Sequence, residues 1–402
     1  MSNTSLLREP GFVRLWAMGA IAGTSRWLEM LVIGVFAFDE TGSPFVVALM
    51  LFARLLPMGL FGVFGGVISD RFDRRRTLMV VMSIMSVLSL VLGLLGINGM
   101  LTVWHVGLGA FIAGMAWVSD FPVRRTLLSE IAGPGRVVKA MSLDIMSTSG
   151  TRMLGPIMGG AIYATVGMGG ALLTAAIGYG LCLVMLFGLQ QKDDVPAATG
   201  VSALRNVVEG LQELRRDRVL VGVFAVTIVF NLWGFPFTSM IPVIGKDVLV
   251  LGPDGVGILA STEGLGAFIG AMVLALFAPG SWARCLYIGG VALYFVLLIG
   301  FGLSKEVMSS AVLLTMTGFA GAGFGAMQST LVLLNSNDKI RARMMGVLSM
   351  CIGSGLLGFL HLGWLAAEIG PGKACVVIGI EGMIALGLTV YFWPELLRKQ
   401  IN

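Results

Sequence analysis

Apolar residues run along this chain in blocks of roughly 18 or more, the length that carries a helix across about 30 Å of hydrocarbon at 1.5 Å per residue. Breakers and polar clusters between the blocks predict twelve helical spans. Six lie at 14–38, 45–68, 78–96, 102–118, 141–166 and 171–189, and six at 220–244, 255–277, 285–303, 308–334, 344–367 and 374–393. The longest polar stretch, 190–218, divides them into halves at 1–189 and 219–402. Within it Leu204, Val207, Val208, Leu211 and Leu214 share a helical spacing, which suits either a helix lying on the membrane surface or a plain tether. The fold this predicts is an all-α polytopic membrane protein built as two pseudo-symmetric six-helix bundles.

Glycine positions carry the symmetry. Gly150, Gly155, Gly160 and Gly167 recur as Gly353, Gly358, Gly363 and Gly370 at one constant offset, each set following a basic loop. Duplicated halves of this kind place a substrate site between them near the midplane.

Charge placement sets the orientation. Arginines and lysines crowd alternate loops (Arg71, Arg74 to Arg76, Arg124, Arg125, Arg136, Lys139, Arg341, Arg343) and both termini. The opposite loops hold only Lys246, Lys305 and Lys373. By the positive-inside rule both termini face the cytoplasm of a bacterial-type inner membrane. The net charge of +5 is then a topology signal and implies no nucleic-acid partner.

Composition removes most alternatives. Only 12% of residues are charged, against roughly 25% in a soluble domain, which leaves no room for a large soluble module. The 57 glycines suit close helix packing in lipid. Four cysteines (Cys182, Cys285, Cys351, Cys375) sit in apolar segments without metal-ligand spacing and read as small hydrophobes. No metal site or cofactor is expected. A Walker loop is missing and no nucleophile–base constellation occurs, so neither direct ATP use nor an enzyme is indicated.

Two motifs sharpen the function. Between the second and third spans lies Gly66-Val-Ile-Ser69-Asp70-Arg71-Phe72-Asp73-Arg74-Arg75-Arg76. It resembles the G-x-x-x-D-R-x-G-R-R/K loop of the major facilitator superfamily. That resemblance implies a cytoplasmic gate in which Asp70 and the arginines latch the halves, with Asp144 placed near it. Asp73 stands where the family usually has Gly, and this variant looks like the third drug:proton antiporter family, which includes macrolide and enterobactin exporters. In the fifth span, Gly150-Thr-Arg152-Met-Leu-Gly155-Pro156-Ile-Met-Gly159-Gly160 resembles the antiporter signature G-x-x-x-G-P-x-x-G-G, with its first glycine displaced by one. Close packing and a Pro156 kink are the physical expectations for this stretch.

Ionisable residues inside a bilayer cost a few kcal/mol and mark function by default. Glu29 and Arg54 each lie nine residues below the outer ends of their spans, at Phe38 and Phe45, about 13 Å deep. They are expected to pair, with Glu29 as the proton-coupling carboxylate alternating between Arg26 and Arg54. Glu263, at a similar depth, is the second candidate and is expected to bond across the halves; Arg152 joins the same network. Glu381 has no evident place, and His105 and His361 are assigned no site. Met30, Met115, Trp117, Asn231, Trp233, Phe235, Met240, Met327 and Gln328 are candidate lining for a substrate cavity, a soft surface suited to amphipathic ligands.

The expected function is export of a drug- or siderophore-like amphipathic molecule by alternating access and proton antiport. Protons and membrane lipids are the other partners, and one chain suffices as a monomer. Two alternatives stand beside it. One is lipid or lysophospholipid transport, with Arg26, Arg54 and Arg152 receiving a phosphate head group. The other is a membrane sensor that has lost transport.

Overall fold

A computed structural model describes residues 6–71, 73–133, 136–189, 214, 217–277, 282–336 and 341–397, the side chains of 63–71, 121, 138, 333, 341–343, 345, 346 and 349 excepted. All of it is helix and short connections. The helices are α1 Pro10–Thr41, α2 Pro44–Arg71, α3 Arg74–Ile97, α4 Val103–Ala132 and α5 Val137–Phe187. They are followed by α6 Arg218–Val248, α7 Pro253–Phe277, α8 Ala283–Leu303, α9 Val307–Leu334, α10 Arg341–Gly353, α11 Gly355–Ile369 and α12 Pro371–Phe392. The linker 190–218, apart from Leu214, Asp217 and Arg218, lies outside the described residues.

Local chemistry sets the helix ends. Pro10 opens α1, where a missing N–H costs nothing, and Gly42 closes it at φ 61° with its N–H bonded to the Phe38 carbonyl. Asp217 caps α6 by accepting from the N–H groups of Val219 and Leu220. The His105 ring accepts from the Thr102 N–H at 3.2 Å at the start of α4; this is the role of a histidine the sequence left without one. Outward faces are apolar, as on α3, where Val80, Val87, Val91 and Leu94 are exposed. A water-soluble bundle reverses that pattern.

Among the described residues, eleven helices are long and apolar enough to cross a membrane, one fewer than the twelve spans predicted. The difference lies in α5. Its stretch Lys139–Phe187 has 49 residues, about twice what one crossing needs. Gly167, at φ 72° and ψ −175°, interrupts it, in a left-handed region that only glycine enters without strain. Before Gly167 the helix runs alongside α1 in the same direction: Thr151 meets Gly23, Gly155 meets Trp27, and Tyr163 donates to Asp39. After Gly167 it runs back: Gly178 meets Ser25, Cys182 bonds the Met18 carbonyl, and Leu189 meets Gly11. The chain therefore reverses within one assigned helix. Pro156 lies inside the first arm of α5, and Gly167 is where the φ/ψ leave the helical region.

Of the repeated glycines, Gly155 and Gly358 make equivalent contacts, whereas Gly150 stands in open space and its counterpart Gly353 meets Gly59. Gly155 packs against Trp27 and Leu28 of α1, while Gly358 packs against Leu232 and Pro236 of α6. Gly370, like Gly167, has a positive φ at a reversal. Helices α1 to α5 pack on one another and α6 to α12 do likewise. The two groups meet where α5 faces α7, α2 faces α10 and α11, and α1 faces α6. The α5–α7 contact is close enough that a Cβ on Gly160 would lie 2.5 Å from the Pro253 carbonyl oxygen and 2.9 Å from the Gly257 Cα.

Gly160→Val should accordingly separate α5 from α7. Thermal unfolding of the purified protein should show a loss of about 1–3 kcal/mol, the usual cost of overpacking; an unchanged midpoint would mean that the contact is looser than described.

Candidate functional site

Hydrocarbon gives a charge no partner, so each ionisable side chain carried inward has to find one in the fold. Glu29 of α1 is enclosed. Ser89 of α3 donates to its Oε1 at 2.5 Å, Tyr179 of α5 donates to its Oε2 at 3.0 Å, and the Arg54 guanidinium of α2 lies 3.6 Å from Oε2. The depth match that predicted the Glu29–Arg54 pair is realised in the geometry. Arg26 is not part of it. One turn away on α1, its Nη2 donates to Asp120 Oδ2 of α4 at 2.8 Å, and the guanidinium lies 5.1 Å from the centre of the Trp117 ring. All these groups belong to the first five helices.

Glu263 behaves differently. It bonds across the halves, as expected, but to Arg152 of α5: the Nη2 donates to both carboxylate oxygens, at 2.6 and 2.7 Å. The Arg152 guanidinium also lies 5.1 Å from the centre of the Trp27 ring. Arg152 and Glu263 line a cavity between the halves with Trp27, Met30, Pro156, Ser239 and Pro242. Its volume is about 50 Å³, room for a few waters and far below an amphipathic ligand. Further along the same interface Lys246 of α6 bonds Asp39 of α1, which also accepts from Tyr163.

The basic end of the bundle carries its own network. Asp144 of α5 is fully buried and accepts from Arg124 and, at 3.0 Å, from the Arg125 Nε, both of α4. Arg74 bonds Glu130, and Arg75 donates to the carbonyls of Leu186 and Phe187. Asp73 has a local task. Its Oδ1 accepts from the Arg76 N–H at 2.6 Å and caps α3, which accounts for a carboxylate where the resembling motif has glycine. Gly66, Asp70 and Arg71 fall in the last turns of α2, and their side chains are outside the described ones. Gly155, Gly159 and Gly160 are packing surfaces against Trp27, Leu28 and Gly257.

Most of the candidate cavity lining is used elsewhere. Met30 alone reaches the cavity. Asn231 donates to the Thr227 carbonyl and Gln328 to the Thr227 hydroxyl, both buried. Phe235 meets Phe359 edge to face, Met240 is fully buried, and Met327 packs on the core. Met115 is exposed. Trp117 stacks with Arg26, and Trp233 donates to Glu381 at 2.9 Å. Glu381 has a second partner, His361, at 2.8 Å.

Sequence reasoning missed Asp120, Ser89, Tyr179 and Trp27. The predicted fourth span ends at 118, whereas α4 runs to Ala132, so Asp120 was read as loop. The other three carry no charge to draw attention.

The profile described as the Major Facilitator Superfamily matches residues 15–357. Among curated relatives, the uncharacterised MFS-type transporter YfiS of Bacillus subtilis (strain 168) is 24% identical, over 92% of this chain and 94% of that protein. The staphyloferrin A transporter of Staphylococcus aureus (strain NCTC 8325 / PS 47) is 20% identical over 94% of both. Macrolide efflux protein A of Streptococcus pyogenes is 23% identical over 66% of both. Among solved structures, a POT family transporter in complex with a thioalcohol-conjugated peptide superposes at a TM-score of 0.78, with 14% identity over 96% of this chain and 97% of that one. A bacterial homologue of the human lysosomal transporter Spinster, inward-facing and unoccupied, superposes at 0.70, with 15% identity over 96% of both. At those identities the structures speak for the fold alone.

A buried pair broken from one side leaves a stranded charge, which costs about 3–5 kcal/mol, whereas removing both charges costs far less. Glu29→Gln and Arg54→Leu should each lower unfolding stability by about 3 kcal/mol, and the double variant by clearly less than their sum. Additive losses in that cycle would contradict the pairing.

Proposed function

The chain belongs to the Major Facilitator Superfamily, and from that premise we propose that it exports amphipathic small molecules by proton antiport, with Glu263 as the coupling carboxylate. The observation that carries this reading is the Arg152–Glu263 bridge, which lines the cavity and joins the two halves. Relatives named for macrolide efflux and for staphyloferrin A support the export direction and the substrate class. In this reading the basic end faces the cytoplasm and the arms of α5 on either side of Gly167 cross separately. That makes twelve crossings in halves of six, 1–189 and 219–402.

Coupling follows from competition for one carboxylate. Glu263 has three alternative partners: a proton, a cationic group of the substrate, or Arg152. With neither proton nor substrate present, Arg152 takes the carboxylate and ties the halves together. An empty carrier therefore does not cycle, and protons do not leak. Protonation or substrate binding frees Arg152 and lets the halves move. Glu29, which the sequence placed first in this role, is held by Ser89, Tyr179 and Arg54 inside one half. It faces no surface that changes partner when the halves rock, and we assign it to packing.

Lipid transport is less well supported. The three arginines that would receive a phosphate head group are each engaged: Arg26 by Asp120, Arg54 by Glu29 and Arg152 by Glu263.

Everted membrane vesicles energised to an inside-acid pH gradient test the proposal. A panel of amphipathic cations, antibiotics and siderophores should include a compound that dissipates the gradient in the wild type. Glu263→Gln should lower that response more than tenfold, and Glu29→Gln should lower it only in proportion to the folded protein. The reverse order would return the coupling role to Glu29; no response from any compound would remove proton-coupled export.

A further inference from the structure

A titratable pair on α11 and α12 lies outside the networks described above. Glu381 is at the centre of α12, ten residues from Pro371 and eleven from Phe392. His361 sits within the apolar span Met350–Ile369. The two side chains meet at 2.8 Å, Nε2 to Oε2, and the Trp233 indole N–H of α6 donates to the same oxygen at 2.9 Å. Yet the pair is not enclosed: the side chains are 38% and 37% exposed. His361 falls in one stripe with Leu357 and Trp364 on α11, and Glu381 flanks the stripe of Ile380, Ile384 and Leu388 on α12; all five are outward-facing apolar residues. The pair therefore opens sideways at mid-span depth, where a transporter's surface meets acyl chains.

Among the described residues, the neighbouring helices bring apolar side chains to the pair. Helix α8 faces α12 with Phe295 and Ile299, and α2 faces α11 with Phe45 and Ala48. On their own helices, Glu368 and Lys373 are seven and eight residues away, at least about 10 Å along the axis. No other acid or base among the described residues lies within ion-pairing distance. An isolated carboxylate and imidazole in such a place are neutral together only when they share a single proton.

We propose that Glu381, His361 and Trp233 form a lateral binding site for the cationic head group of a membrane-dissolved amphiphile, and that the cation displaces the shared proton. The exchange balances. One cation arrives, one proton leaves to water, the carboxylate holds the cation and the imidazole is left neutral. The Trp233 indole N–H, bonded to the same oxygen, holds the carboxylate in place for the cation. The inference rests on reading the chain as a transporter of amphipathic compounds and narrows that class to cations that enter from the bilayer.

The test uses full-length protein in lipid nanodiscs, weakly buffered, titrated with dodecyltrimethylammonium, a permanent cation that carries no proton of its own. Empty nanodiscs give the background. Working in the Glu263→Gln protein silences the central carboxylate, so that release there reports the lateral site alone, and wild type against Glu263→Gln reports the central one. Glu263→Gln should release about one proton per bound cation, and Glu263→Gln/Glu381→Gln should release none. Glu263→Gln/Trp233→Phe, which keeps both titrating groups but loses the hydrogen bond that orients the carboxylate, should bind roughly two- to fivefold more weakly with release per bound cation unchanged. No release from Glu263→Gln, equal release after Glu381→Gln, or an unaltered affinity in the Trp233→Phe protein would each overturn the lateral site and leave the central reading standing.

Discussion

An ionisable group inside a bilayer has to be matched by the protein, because neither water nor salt is there to do it. That demand organises this structure. Arg26 is matched by Asp120, Arg54 by Glu29 and Arg152 by Glu263, each a carboxylate on another helix. The first two matches lie among α1, α2 and α4, and fix how those helices pack. The third crosses from α5 to α7, where the two groups of helices meet. A pair inside one half is a packing constraint; a pair between halves is a constraint on their relative position. The same chemistry thus takes two roles, according to which helices supply it.

Glycine also shapes this seam. The contact of Gly160 with Gly257 brings α5 and α7 together on the same interface as the Arg152–Glu263 bridge. In lipid, packing of small residues replaces the hydrophobic drive that holds soluble helices together. The glycines of the fifth-span motif thus pack the interface that the ion pair crosses. Asp39 with Lys246 extends the same interface beyond the cavity, so charge lies along the seam as well as in it.

Much of this was legible in the sequence. Apolar blocks located the helices, and the two glycine sets revealed matching contacts, Gly155 on α1 and Gly358 on α6. Counting residues from the span ends placed Glu29 and Arg54 at one depth, and they do meet. Depth, however, leaves rotation about the helix axis open. Arg26 is three residues from Glu29 and faces Asp120 instead. Glu263 matches Arg54 in depth and faces Arg152. Rotation likewise took Asn231, Gln328 and Met240 into the packing of the second half. His361 and Glu381 looked solitary because twenty residues and a reversal at Gly370 separate them, a contact that no local pattern announces.

The central claim is that Glu263 ties the halves only while it is unprotonated and empty. Spin labels at Val166→Cys on α5 and Met308→Cys on α9, in protein whose native cysteines are replaced by Ala, report the separation of the halves by pulsed dipolar spectroscopy. Both positions are exposed. The wild type should give one narrow distance distribution, and Glu263→Gln, which removes the carboxylate charge, a broader one that includes longer distances. A narrow distribution in Glu263→Gln, or a broad one in the wild type, would contradict the account.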